Sequence, residues 1–236
     1  KKILRLCEAS INFLSKIQNK DGSFNHNFPS IYSVAAVSFP IYSATESYLI
    51  LKDVEDFSID EKSFFASLEK SAKWLSKNFD YNVCNQETGS LMALYNIFLI
   101  TGKETYLSEV SKKIDNLLSF QSEEGWFFEY SGSDVGYSTL TVDYLSKYYQ
   151  KSGDDRILNP LSKLVDFLHY FVHPNRTMGG EYSSRNNEFV IPSGFELTSD
   201  IIKNSSTICE KIREGFHNGD ILDPSDMDDV YFCMNH

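Results

Sequence analysis

Basic clusters are missing from this sequence. Lys and Arg total 22 against 33 Asp and Glu, a net charge of −11, and the densest basic stretch is Lys1-Lys2. A polyanion is held by clustered cations that displace its counterions, so nucleic acid is excluded as a partner. Long apolar runs are missing as well: none approaches the roughly 20 residues of a membrane span. The four cysteines, Cys7, Cys84, Cys209 and Cys233, form no C-x-x-C pair. His26, His169, His173, His217 and His236 have no cysteine at zinc-ligand spacing, so neither a metal nor a cofactor is expected. Strand patterns are scarce, "NEFVIP" (187–192) being the best. No signal peptide opens the chain, which favours the cytoplasm. A start at Lys rather than Met and a stop at "CMNH" read as a piece cut from a longer protein.

What is present is helical periodicity and a generous aromatic fraction, 14% with 18 Phe and 14 Tyr. Aromatics of that number line pockets for sugars or for hydrocarbons as well as filling a core. Ile3, Leu6, Cys7, Phe13, Leu14 and Ile17 make one apolar helical face, closed by "QNKDGS". A second helix is expected from Pro40, a residue suited to a first turn, through "ATESYLIL". A third carries Phe64, Leu68, Ala72, Leu75 and Phe79. "LMALYNIFLI" (91–100) is apolar nearly all round and should be buried on every side. A fifth follows Leu107, Val110, Ile114, Leu117 and Leu118; a sixth spans Ser138 to Tyr149; a seventh runs from Leu161 to Val172, with His173 as its closing cation or capping donor. "ELTSDIIKNSSTICEKIREGF" reads as an eighth. Amphipathic helices thus alternate with more buried ones, and hairpins that cannot bury their own faces must stack. The expected fold is all-α: an α/α toroid of about four helical hairpins, one domain over 1–236, an incomplete ring against the six hairpins of a closed one.

One phrase occurs twice. "FLSKIQNKDGSF" (13–24) and "LLSFQSEEGWF" (117–127) share an apolar pair, a glutamine, a glycine and an aromatic. This resembles the QW-type repeat of terpenoid cyclases and related prenyltransferase-like toroids. "WLSKNF" (74–79) is a degenerate third copy. A glutamine at a helix end can bond the unpaired carbonyls there and tie successive hairpins together. Gln18 and Gln121 are therefore expected to end outer-layer helices, with structural rather than chemical roles.

Two polar segments carry the expected chemistry. In "EYSGSDVGYSTLTVDYL" (129–145), Asp134 or Ser138 is an N-cap candidate, and Asp134, Tyr137 and Asp143 are placed where a funnel wall would be. In "MGGEYSSRNNEFVIPSGFE" (178–196), Tyr182, Arg185 and Asn186 bring together a phenol, a guanidinium fork and an amide. Such a set resembles the sites of toroidal polysaccharide lyases and uronate epimerases. That resemblance implies that Arg or an amide neutralises a uronate carboxylate while tyrosine moves the neighbouring proton. Glu196 is the alternative hydrolase carboxylate, and His26 a substrate-binding candidate. A rival reading rests on Asp226-Met227-Asp228-Asp229, which matches the D-x-D-D acid of isoprenoid cyclases; Val230-Tyr231 depart from the small hydroxylated residue that follows there. The expected activity is carbohydrate chemistry on an acidic or complex glycan, by a lyase, epimerase or hydrolase. The alternatives are an isoprenoid cyclase and a non-catalytic glycan- or protein-binding scaffold. Either way the partner is a small molecule or a glycan, and the sequence leaves the oligomeric state open.

Overall fold

The structure is a computed structural model and describes residues 1–29, 31–183 and 190–220. Its helices are α1 (Lys2–Ile17), α2 (Val34–Leu51), α3 (Glu61–Leu75), α4 (Cys84–Thr101), α5 (Glu104–Leu118), α6 (Val135–Ser152), α7 (Leu158–His169), α8 (Ser193–Thr198) and α9 (Lys203–Asn218). Among the described residues no strand forms; single bridges join Val83 to Glu129, Glu129 to Gly132 and Val172 to Met178. The chain divides into two compact units. One comprises Lys1–Asp80 with Gly89–Asn116, the other Tyr81–Thr88 with the residues from Leu117 on.

The alternation of helix types follows from which faces are buried. In the first unit α1 packs on α3, and α2 on both. α3 buries Phe64, Leu68, Ala72 and Leu75 along one stripe, whereas the apolar face read on α1 is not a core face: Ile11 is buried there, but Ile3, Leu6, Phe13 and Ile17 are exposed. α2 buries Val34, Val37, Ile41, Tyr42 and Tyr48 on several faces. By length and composition it could also cross a membrane, contrary to the expectation that no apolar run approaches a span, and half of it is buried inside the protein. In the second unit α6 packs on α7 and α8, α8 on α9, and α7 on α9. α6 is buried along most of its length, from Val135 to Ser146.

The repeated phrase builds the junctions between helices. Gln18 is the C-cap of α1, and its Nε2 donates to Ser67 O at 2.9 Å and Ser71 Oγ at 2.8 Å on α3. Gln121, three residues past α5, donates to its own Gly125 O and to Pro160 O on α7, both at 2.8 Å. The turns that follow match bond for bond. Asn19 N–H donates to Ser23 O and Ser122 N–H to Trp126 O, each at 2.9 Å. Phe24 and Phe127 then close the junctions, 3% and 1% exposed.

The same turn occurs a third time without its sequence signature. His173 N–H donates to Thr177 O and Arg176 N–H to His173 O, both at 2.9 Å. Arg176, at φ +75°, stands where Gly22 (+96°) and Gly125 (+101°) stand, and Met178, fully buried, replaces the aromatic. Arg176 reaches Glu214 Oε2 at 3.0 Å and Asp220 Oδ2 at 3.2 Å, at the end of α9. Its side chain thus makes the inter-helix tie that glutamine makes elsewhere. At "WLSKNF" the tie comes from the other partner. Lys113 of α5 donates to Asn78 O at 3.1 Å and lies 5.1 Å above the Phe79 ring.

Gln18→Ala and Gln121→Ala should each cost about 1 kcal/mol, the net value of a lost hydrogen bond. Urea denaturation of the single variants measures it, and an unchanged midpoint would remove glutamine from the junction.

Several boundaries differ from the sequence expectation: α3 ends at Leu75, short of Phe79, and α6 runs from Val135 to Ser152 rather than from Ser138 to Tyr149. α2 begins at Val34, capped by Ser33 Oγ accepting from Ala36 N–H, so Pro40 lies inside the helix rather than in its first turn. α4 starts seven residues before the apolar run. α8 and α9 are two helices where one was read. His169, not His173, is the last residue of α7. The described part of "NEFVIP", Val190 to Pro192, is not a strand.

Candidate functional site

In the second unit the long connections lead into α6 (119–134) and α8 (170–192), whereas those leading out of them are short (153–157 and 199–202). Chemistry-bearing side chains collect on the long ones and on the first turn of α4.

Glu129 is strongly perturbed. It is 3% exposed. Its Oε1 accepts from Asn85 N–H at 2.8 Å and from the Thr141 hydroxyl at 3.4 Å, and Oε2 from Asn85 Nδ2 at 2.7 Å. Burial pushes its carboxyl up to about 8, with nearby Asp134 adding to the rise and the Asn85 donors opposing it. The carboxyl therefore sits at the N-terminus of α4 and satisfies an orphan N–H there, a cap supplied from 44 positions away. Cys84 beside it is buried, and that burial holds its thiol well above the usual range.

Asp143 is fully buried. Oδ2 pairs with Lys147 Nζ at 2.7 Å, and Oδ1 accepts from the Ser193 hydroxyl at the start of α8. Ile191 N–H donates to Thr139 Oγ1 at 3.0 Å in the same contact. α8 lies so close that a Cβ on Gly194 would come within 2.5 Å of Asp143 Cα. Asp143 thus fastens α8 to α6.

The third group follows α7. The Tyr182 hydroxyl lies 2.6 Å from His173 Nε2, and His173 Nδ1 lies 2.7 Å from Thr177 Oγ1. Thr177 Oγ1 donates in turn to Asn175 Oδ1 at 3.0 Å, and Gly179 N–H donates to the Tyr182 oxygen at 3.1 Å. Tyr182 is half exposed and packs against the Phe171 ring, centroids 5.6 Å apart.

The remaining expectations fall out as follows. Asp134, not Ser138, caps α6, accepting from Tyr137 N–H at 2.7 Å. Tyr137 is half-buried and its ring meets that of exposed Tyr130 at 5.6 Å. Glu196 is engaged by Arg213 through Nε at 3.0 Å and through Nη2. His26 is exposed in the first unit, its backbone N–H bonded to Ile31 O. Arg185, Asn186, Asp226, Asp228 and Asp229 lie outside the described residues. Among the described residues no group of three or more His, Cys, Asp or Glu is placed to hold a metal. Sequence reading missed Glu129 and the partnership of His173 with Tyr182. The first depends on a contact across 44 positions. The second depends on a turn whose glycine has become Arg176.

No model of a known protein family matches the sequence, and no curated protein matches it. Solved structures do match. The Lin0763 protein of Listeria innocua aligns with a TM-score of 0.66 at 11% identity, over 96% of this chain and 74% of its own. A cellobiose 2-epimerase from Bacillus thermoamylovorans aligns at 0.63 and 8% identity, over 92% of this chain and 72% of its own. A sugar epimerase from a ruminal bacterium aligns at 0.63 and 9% identity, over 92% and 71%. At such identities the likeness shows the fold, which is all-α and of the α/α-toroid class.

Proposed function

We propose that this chain is a carbohydrate-active protein that takes a sugar at the loops entering α6 and α8. The observation that carries the reading is the presence of tyrosines at those loops, exposed Tyr130 in ring contact with half-buried Tyr137 of the first turn of α6 and exposed Tyr182 on the connection into α8, on a fold shared with two sugar epimerases. Aromatic faces suit the C–H faces of pyranose rings, and the polar edges of tyrosine suit their hydroxyls. Of the three carbohydrate chemistries expected from sequence, epimerisation is the best supported. The hydrolase carboxylate, Glu196, is already paired with Arg213, and two of the aligned structures are sugar epimerases. Uronate chemistry through Arg185 and Asn186, and isoprenoid chemistry through Asp226, Asp228 and Asp229, rest on residues outside those described.

Calorimetric titration of the chain with glucose, mannose, cellobiose and galacturonate, beside an isoprenoid diphosphate, tests this. A neutral reducing sugar should bind, and Tyr137→Ala should weaken it about tenfold, ~1.4 kcal/mol. Gln18→Ala should bind as the wild type does. Absence of sugar binding, or preference for the isoprenoid, would overturn the proposal.

A further inference from the structure

We infer that Tyr182 and His173 form a proton-transfer pair that opens the ring of a reducing sugar at its anomeric hydroxyl; this rests on the sugar reading above. The hydrogen-bond chain fixes its own direction. Asn175 Oδ1 also accepts from Thr177 N–H at 3.4 Å, which identifies it as the oxygen of that amide. The single Thr177 hydroxyl proton is therefore committed to Asn175. Thr177 Oγ1 can then only accept from His173, so the neutral imidazole carries its proton on Nδ1. Nε2 is left as a lone pair, and the atom 2.6 Å away is the Tyr182 oxygen. The phenol proton points at that lone pair, at 2.6 Å, in preference to Phe171 O, at 3.4 Å.

Such an arrangement makes a neutral phenol a relay. As the sugar O1–H proton passes to the Tyr182 oxygen, the phenol's own proton passes to His173 Nε2, and phenolate never accumulates. The C1–O5 bond breaks as the C1=O1 carbonyl forms, and O5 takes a proton from water. The imidazolium then returns its proton through Tyr182 to water or to the closing ring, so atoms and charge balance over the cycle. Gly179 N–H, already directed at the phenol oxygen, supports the negative charge that develops there. Thr177 and Asn175 are positioning residues. A purely structural latch needs neither a committed tautomer nor an exposed phenol, and Tyr182 is 49% exposed.

The test is the mutarotation of freshly dissolved α-D-glucose followed by polarimetry, with glucose binding measured in parallel by calorimetry. Wild-type protein should accelerate the reaction, and Tyr182→Phe and His173→Gln should lose about a hundredfold of that acceleration, as for a lost acid–base group, while still binding glucose. Nitrogen-15 spectra should show His173 protonated on Nδ1, and Thr177→Val should shift that tautomer and lower the rate without changing glucose affinity. Glucose binding without acceleration, or equal acceleration by Tyr182→Phe, would overturn the relay and leave the sugar reading standing. Absence of any binding would remove the sugar reading itself.

Discussion

Gly125→Ala should destabilise the second unit by about 4 kcal/mol, and Gly22→Ala the first by a similar amount. Two effects add at each position. The backbone is left-handed, φ +101° and +96°, where an L side chain is strained. A Cβ would also stand 2.4 Å from Lys163 O at Gly125 and 2.3 Å from Lys70 O at Gly22. Both obstacles are helix backbone, which cannot swing aside as a side chain can, so α7 or α3 must move off its junction. Arg176→Gly provides the contrast. It relieves the same left-handed conformation and loses half-exposed pairs with Glu214 and Asp220, so its stability should stay near that of the wild type. Urea melts of the three variants decide the matter. A Gly125→Ala protein as stable as the wild type would mean that these turns do not set the helix spacing.

Glu129 should produce the second large effect, and one of unusual sign. A carboxyl held near 8 when folded and near its ordinary 4.5 when unfolded binds more protons in the folded chain throughout that interval. Stability should therefore fall as pH rises from about 4.5 to 8, by roughly 4–5 kcal/mol if the whole shift is expressed, and be level outside it. Most buried carboxylates paired with cations give the opposite slope. Glu129→Gln removes the titration and should flatten the curve. Glu129→Ala also removes the titration and leaves Asn85 N–H and Nδ2 buried without acceptors, so it should cost about 3 kcal/mol at pH 8 and more at lower pH. Chemical denaturation between pH 4.5 and 8.5 measures both. A wild-type curve that rises over this range would mean that Glu129 is ionised at neutrality, held by Asn85 and the α4 terminus.

Much of the fold was legible because its signals are local. The glutamine, glycine and aromatic of each junction fall within a dozen residues, and the apolar stripes of α1, α3, α5 and α7 repeat every turn. What was not legible depends on partners remote in sequence. α4 extends back to Cys84, where its first turn is capped by Glu129, 44 positions away. Pro40 falls inside α2 because Ser33 caps the helix at an earlier start. The third junction is invisible as text, since Arg176 replaces glycine and an ion pair replaces glutamine. The site divides in the same way. Tyr137, Tyr182 and Asp134 were read from polar, aromatic-rich loops. Asp134 was also offered as a cap, and it is one; that Asp143 is a fastener became evident only from its partners, Lys147 and Ser193.

The most direct measurement of the sugar proposal is a residue-resolved NMR titration of the chain with glucose and cellobiose. Amide shifts should concentrate in 129–145 and 171–183, the loops and helix starts that carry Tyr130, Tyr137 and Tyr182, and should saturate with the calorimetric affinity. Shifts scattered over the surface, confined to the groove between α1 and α3 around Lys16 and Lys70, or absent at saturating sugar would contradict it.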